Sequence, residues 1–391
     1  MTLVPPGATI GILGGGQLGR MTALAARSMG YRIHVLDPDA QCSASPVADR
    51  VVAAPFDDAD AARELARHCQ VVTLEIEQIA TAVLDAAAEF APARPGSALI
   101  GMVQDRALQK EWLARNGFPL GPWRHVGSAA DIEAAVTALG PCIVKTTRGG
   151  YDGRGQVRVN APAEAADAWT ALGKRPCVAE RTLSLAAELS VMVARRPSGE
   201  LAIYPPALNH HERLALSWSV MPAPLPSRLL DQARDIGRGI AEAAALEGLI
   251  GVELFLTSDG TLLVNELAPR PHNSYHASER ACVTGQFEQL TRAVCDLPLG
   301  DVAIVRPAAI VNIFGDLWRE GRDPDFPRAL GDPAVRLHLY GKPGPRPARK
   351  MGHFSAVGDT PLDALERVRA AAALAGAVTE DVPASVRALL A

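Results

Sequence analysis

Between residues 9 and 100, short β-rich runs ("ATIGILG", "YRIHVLD", "RVVAAP", "QVVTLEIE") alternate with alanine-rich helical segments ("QLGRMTALAARSMG", "DAARELARHC"). A helix inserted between two strands carries the chain back across the sheet, so successive strands run the same way. This rhythm predicts a parallel sheet with crossover helices. At its first junction, "TIGILGGGQLGRM", Gly14, Gly16 and Gly19 have the G-x-G-x-x-G spacing, and Asp37 ends the next apolar run eighteen residues beyond Gly19. Glycines under a pyrophosphate and an acid near a ribose are the marks of a dinucleotide site. A nicotinamide dehydrogenase is therefore one reading that the rest of the chain must support or displace.

The 391 residues suffice for two or three domains of about 100–200 residues each. A net charge of −4 gives no global attraction to nucleic acid or an anionic membrane, so any anion site has to be local. No apolar run approaches the roughly eighteen residues of a membrane span. "MTLVPPGAT" also lacks the basic and apolar regions of an export signal. Cys42, Cys69, Cys142, Cys177, Cys282 and Cys295 form no C-x-x-C pair, which favours free thiols and a cytoplasmic protein. "APARPGS" reads as a linker. Residues 105 to 297 then mix helices with antiparallel-looking strands, the pattern of an α+β domain. The remainder reads as short strands and turns closed by the helix "TPLDALERVRAAAALAG".

Four stretches carry chemistry. In "CIVKTTRGGYDGRGQVRV" an apolar strand delivers Lys145 to a loop with Gly149, Gly150, Gly153 and Gly155. Such a loop brings backbone N–H groups close to phosphate oxygens, and the lysine adds a compact charge. The spacing is not that of a Walker A loop. In "GLIGVELFLTSDGTLLVNELAPRPHNS" a two-residue turn at Asp259-Gly260 pairs Ser258 with Thr261 and Phe255 with Val264. Continued, it pairs Glu253 with Glu266. Facing carboxylates repel unless a divalent cation joins them, and no lysine lies in the hairpin. Arg270, His272 and Asn273 follow at once and suit a planar oxyanion. The turn-rich "YGKPGPRPARKMGH" (Lys342, Arg346, Arg349, Lys350) reads equally as a solvated basic loop or a phosphate clamp. Glu75 and Glu77 in "VTLEIEQI" end a strand where open α/β sheets place ligands, and read equally as a plain polar strand end.

In order along the chain, "GGGQLGRM", "EIE", "DRALQK", "VKTTRGGYDGRGQ", "GVELF", "NELAPRPHNS", "QFEQLTRAV" and "KPGPRPARKMGH" resemble the ATP-grasp superfamily, and within it the 5-(carboxyamino)imidazole ribonucleotide synthases of purine biosynthesis. The resemblance implies an ATP-grasp fold with three parts. These are a Rossmann-like parallel-sheet domain at 1–103, a two-lobed ATP-grasp domain at 104–297 and a small β-rich C-terminal domain at 298–391. It implies a ligase that makes carboxyphosphate from ATP and bicarbonate. The carboxyl group then passes to 5-aminoimidazole ribonucleotide, giving ADP and phosphate.

The implied ATP site comprises Arg106, Lys145, Gly150, Tyr151, Asp152, Gly153, Arg154, Gly155, Gln156, the adenine hinge Glu180, Arg181, Thr182 and Leu183, then Glu188, His211, Asn265 and Glu266. Glu253 and Glu266 would hold Mg²⁺, or Mn²⁺ in its place. Arg154, Arg270, His272 and Asn273 would be the catalytic set around bicarbonate and the ribonucleotide. Gln17, Leu18, Glu75, Tyr151, Arg154, Lys342 and Arg349 would hold the ribonucleotide. The chain departs from the family pattern in the hinge "ERTL" and at Tyr275, where relatives often carry glycine. The resemblance also implies a homodimer that hands its product to a mutase. A formate-dependent glycinamide ribonucleotide transformylase, the dehydrogenase and a catalytically silent nucleotide-binding regulator stand as alternatives.

Overall fold

The computed structural model describes residues 3–150, 155–318, 323–377, 382 and 384–390. Strands β1 (Thr9–Leu13), β2 (Arg32–Asp37), β3 (Arg50–Ala53) and β4 (Val71–Leu74) form a parallel sheet in the order β3-β2-β1-β4. Every residue of β1 is buried, as expected for the middle of a sheet covered on both faces. Strand β4 stops at Leu74, so Glu75 and Glu77 lie just past the strand rather than at its end. "APARPGS" is not a free linker. Val72 N donates to Pro92 O and Arg94 N to Val72 O, both at 2.8 Å. The buried Arg94 guanidinium, which cannot be left unpaired, reaches Glu247 at 2.9 Å and the Val294 carbonyl at 2.6 Å.

A small antiparallel sheet follows: β5 (Trp123–Val126), β6 (Cys142–Thr146), β7 (Gln156–Val159) and β8 (Cys177–Arg181), in the order β5-β8-β6-β7. The helices Ala129–Leu139 and Ala165–Ala171 bury Ile132, Val136 and Ala168 against Val126, Val144 and Val159. The glycine-rich loop is the β6–β7 hairpin, closed by the pair Lys145 and Gln156.

The remaining strands are β9 (Leu185–Arg195), β10 (Leu201–Ile203), β11 (Ala207–Glu212), β12 (Ala215–Met221), β13 (Gly248–Thr257), β14 (Leu262–Ala268), β15 (Ala308–Phe314), β16 (Val335–Leu339) and β17 (Lys350–Val357). They form one nine-stranded sheet in the order β14-β13-β9-β11-β12-β15-β17-β16, with β10 beside β9. The C-terminal strands therefore extend the sheet of the middle segment through the β12–β15 pairing. Alternation gives this sheet two characters. Leu189, Val191 and Val193 of β9 share a core cluster with Ala233, Ile236 and Ile240 of the helix Ser227–Ala243. Gly237 permits that approach, since a Cβ there would lie 2.9 Å from the Val191 Cγ1. Glu188 and Ser190 alternate with these residues and so point to the opposite face, which is polar here and apolar further along at Met192 and Ala194.

Candidate active site

The β13–β14 hairpin places the expected carboxylate pair by a different route from the one expected. Its turn is longer by one residue: Thr257 N bonds Thr261 O, and Gly260 takes a φ of +84°. Phe255 consequently faces Leu263 and Leu254 faces Val264, which corrects the expected Phe255–Val264 pairing. A β-bulge then inserts Asn265 and shifts the register back, so Glu253 does face Glu266. The two one-residue offsets cancel. Asn265 Nδ2 donates to Glu253 Oε2 at 3.1 Å.

Donors from outside the hairpin meet the pair. Arg106, at the start of the helix Arg106–Arg115, lies 2.9 Å from Glu266, and its guanidinium also donates to the Gly150 carbonyl at 3.3 Å. His272 Nε2 lies 3.2 Å from Glu253. Burial alone would raise the Glu253 carboxyl, but the hydrogen bond from His272, with His211 and Asn265, holds it at about 2. The neighbouring Glu188 and His211 lie 2.7 Å apart. Burial would lower that imidazole, yet the Glu188 carboxylate raises it above its ordinary range. Two carboxylates face to face, Glu266 still 42% exposed, form a hard-oxygen donor set that fits Mg²⁺ sharing its shell with phosphate oxygens and water.

Lys145 Nζ lies 2.9 Å from Glu180 Oε2, and Lys110 Nζ lies 3.1 Å from the other oxygen. Burial opposes ionisation of Glu180, but Lys145 and then Lys110 hold its carboxyl at about 2. Lys110 was not expected to take part. It sits in the quoted "DRALQK", and its signal was a lysine on the buried side of an amphipathic helix, where it is 5% exposed. Along the hinge, Arg181 N and Thr182 N bond the carbonyls of Pro122 and Pro141, and the buried Thr182 hydroxyl has no partner. Leu183 packs where a Cβ on Gly121 would meet it at 3.3 Å. Gly155 has a φ of +70° and no room for a side chain beside the Thr146 hydroxyl. Tyr151, Asp152, Gly153 and Arg154 lie outside the described residues.

Arg270 Nε stands 2.8 Å from Glu77, and both polar side-chain atoms of Asn273 are buried without a partner. Tyr275 is fully buried and does not line the site, because its hydroxyl donates toward the carbonyls of Ser190 and Pro205. Lys342 crosses from the C-terminal segment to Gln17, 2.6 Å away, and bonds the Lys350 carbonyl. Two expected ribonucleotide ligands are thus joined. Arg349 turns back on its own loop, bonding the carbonyls of Pro343 and Gly344.

The first glycine loop settles its own question. Glu75 Oε1 accepts from Gly16 N at 2.9 Å, and Oε2 accepts from Leu18 N at 3.1 Å and Gly19 N at 3.0 Å. These N–H groups head the helix Gln17–Ser28, where a dinucleotide fold would seat its pyrophosphate. The protein's own carboxylate fills that seat. Burial raises the Glu75 carboxyl, with the Gly19 and Gly16 amides opposing. Asp37 is spent on Gly15 N at 2.7 Å and Asp39 N at 2.9 Å, so it caps the strand end instead of offering an acid to a ribose.

A groove of about 660 Å³ beside Glu111, Arg115, Trp123, Arg124 and His125 includes none of the expected residues. Among the described residues no helix is long and apolar enough to cross a membrane.

Family models match along the chain in the same order as the sheets. The ribonucleotide synthetase preATP-grasp domain matches residues 7–104, the ATP-grasp domain 111–287, and the phosphoribosylaminoimidazole carboxylase C-terminal domain 308–367. Fold and site together define an ATP-grasp ligase. The N5-carboxyaminoimidazole ribonucleotide synthase of Brucella melitensis is 40% identical over 359 residues, covering 91% of this chain and 98% of the relative. That of Bacillus subtilis is 39% identical over 355 residues, covering 90% and 92%. A solved ADP complex of an N5-carboxyaminoimidazole ribonucleotide synthetase superposes with a TM-score of 0.88 at 38% identity, covering 95% of this chain and 98% of the other. The Aspergillus clavatus enzyme with ADP and 5-aminoimidazole ribonucleotide gives 0.86 at 31% identity, covering 95% and 99%. The chain belongs to the N5-carboxyaminoimidazole ribonucleotide synthase family.

Proposed function

We propose that this chain carboxylates the exocyclic amine of 5-aminoimidazole ribonucleotide, using ATP and bicarbonate, to give N5-carboxyaminoimidazole ribonucleotide, ADP and phosphate. The observation that carries the reading is the opposed Glu253–Glu266 pair on the polar face, with Arg106, His272 and Asn265 gathered on it. Family membership supplies the substrates.

In this reading adenine lies along Glu180 to Leu183, and Glu188 and His211 hold the ribose side of ATP. Lys145, with Lys110 behind it, and the loop 150–156 hold the phosphates. Glu253 and Glu266 would hold Mg²⁺, which when bound supplies charge neutralisation at the triphosphate. A bicarbonate oxygen attacks the γ-phosphorus, the bond to the ADP oxygen breaks, and carboxyphosphate forms. The amine nitrogen then attacks the carboxyl carbon, the bond to the phosphate oxygen breaks, and the departing phosphate takes up the proton the amine loses. The protein's part is positioning and electrostatics rather than covalent chemistry. Arg270, His272, Asn273 and Arg154 orient bicarbonate, and the Asn273 amide, buried without a protein partner, has hydrogen-bonding capacity to spare. Lys342, Gln17, Leu18, Tyr151 and Arg349 hold the ribonucleotide. Glu75 fixes the loop that presents Gln17 while its remaining lone pairs face the sugar. Carboxyphosphate is labile, so the glycine loop has to exclude water.

The domain limits we assign are 1–103, 104–297 and 298–391. Family resemblance supports a cytoplasmic homodimer that passes its product to a mutase. The test is ADP release with each substrate omitted in turn. ADP release that requires both bicarbonate and 5-aminoimidazole ribonucleotide is the expected result. Release driven instead by formate and glycinamide ribonucleotide would overturn the assignment.

A further inference from the structure

Behind the facing carboxylates, the polar side of the large sheet continues as a row of small polar residues in otherwise apolar strands. Ser190 faces Glu253 across the β9–β13 pairing, and Asn209 faces Ser219 across β11–β12. Ser190, Ser219 and Ser274 are wholly buried and Asn209 is 4% exposed. Hydroxyls and amides in such a place cost free energy unless each finds a partner.

Here each does, and the bonds run in one direction. Ser219 Oγ donates to Asn209 Oδ1 at 2.9 Å, and Asn209 Nδ2 donates to Ser190 Oγ at 3.1 Å. Ser190 Oγ lies 2.7 Å from Ser274 Oγ, which in turn lies 2.8 Å from His272 Nδ1. With its oxygen already accepting from Asn209, Ser190 donates to Ser274, and Ser274 donates its own proton to Nδ1. Each hydroxyl then has a partner for its proton. Nδ1 is an acceptor, so the neutral ring carries its hydrogen on Nε2, the nitrogen 3.2 Å from Glu253. The reverse polarity would set a nitrogen lone pair against a carboxylate. Ser219 Oγ also lies 2.9 Å from the Ser274 carbonyl, a second acceptor that shares its one proton with Asn209 Oδ1.

We propose that Ser219, Asn209, Ser190 and Ser274 form a buried positioning relay that fixes the ring orientation and the Nε2–H tautomer of His272. The proposal rests on the functional reading only in placing His272 at the bicarbonate. Groups that hold a histidine through its far nitrogen set which atom faces the reacting molecules, so their loss lowers turnover and leaves nucleotide binding intact.

Two experiments decide it. The first is a double-mutant cycle on bicarbonate-dependent ADP release with Ser274→Ala, His272→Ala and the pair. The relay requires Ser274→Ala to lower kcat about tenfold with the ATP KM within about twofold, and to add less than about twofold on the His272→Ala background. A wild-type kcat in Ser274→Ala, or a full second loss in the double variant, overturns it. The second is NMR of the wild-type protein labelled with ¹⁵N-histidine, with the His272 signals identified through His272→Gln. An Nε2–H ring with a hydrogen-bonded Nδ1 is expected, and an Nδ1–H ring overturns the relay. This readout needs neither a folded Ser274 variant nor activity. A wild-type protein without bicarbonate-dependent ADP release would sink the functional reading, while the ring nitrogens would still judge the relay.

Discussion

Replacing Lys110 with methionine keeps the length and apolar stem of the side chain and deletes one ammonium from Glu180. At 3.1 Å and an effective dielectric constant near 20, the lost attraction is about 5 kcal/mol. Most of it is offset, because burying the ammonium is itself costly: burial pushes Lys110 below the ordinary lysine range despite Glu180 beside it. The carboxylate gives a second route to the magnitude. Glu180 is held at about 2, so relative to an ordinary carboxylate it contributes roughly 3 kcal/mol at neutral pH. Two lysines share that contribution, which puts the loss from one at about 1.5 kcal/mol.

A depressed carboxyl stabilises the fold above its unfolded-state pKa, and that stability is lost as the pH falls toward 2. In Lys110→Met the Glu180 pKa climbs back toward the ordinary range. The gap between wild type and variant is therefore full at pH 7 and narrows toward pH 3. Thermal unfolding followed by circular dichroism reads it as about 2 °C at pH 7 for a chain of this length, and the ATP KM rises because Glu180, which anchors Lys145, is held by one ammonium instead of two. Equal melting temperatures at pH 7, or a gap that widens in acid, would refute the reasoning.

Two further outcomes follow from other close contacts. In Gly19→Ala the new Cβ would lie 2.5 Å from the Gly14 carbonyl oxygen, so stability falls by about 1–3 kcal/mol in a thermal melt; an unchanged melting temperature contradicts the loop geometry. Glu266→Ala removes one of the two opposed carboxylates and leaves Arg106 without its partner, so bicarbonate-dependent ADP release falls by a factor on the order of 10³ while the protein stays folded; wild-type kinetics would remove this residue from the site.

What could be read from the residues was local and periodic. The parallel sheet followed from alternating strand and helix segments, and the facing of Glu253 and Glu266 from counting along a hairpin. That count succeeded through two compensating irregularities. A longer turn and a bulge both depend on backbone conformations that composition does not display. Long-range partners were out of reach. Nothing near Glu75 announces that amides 56 to 59 positions earlier in the chain will claim it. The joining of β15 to β12 depends on an edge left open by strands far earlier in the chain. Ser190 carried a faint signal, a small polar residue within the apolar "AELSVMVA", which gains meaning only when Asn209 and Ser219 are seen beside it.

Glu75 acts as a tethered occupant of the phosphate cradle at the head of the first helix. Free dinucleotides abundant in a cell must compete with a group that never diffuses away, and its effective concentration puts them at a permanent disadvantage. The loop is thereby ordered by the protein itself, its conformational entropy spent during folding rather than on a bound ligand.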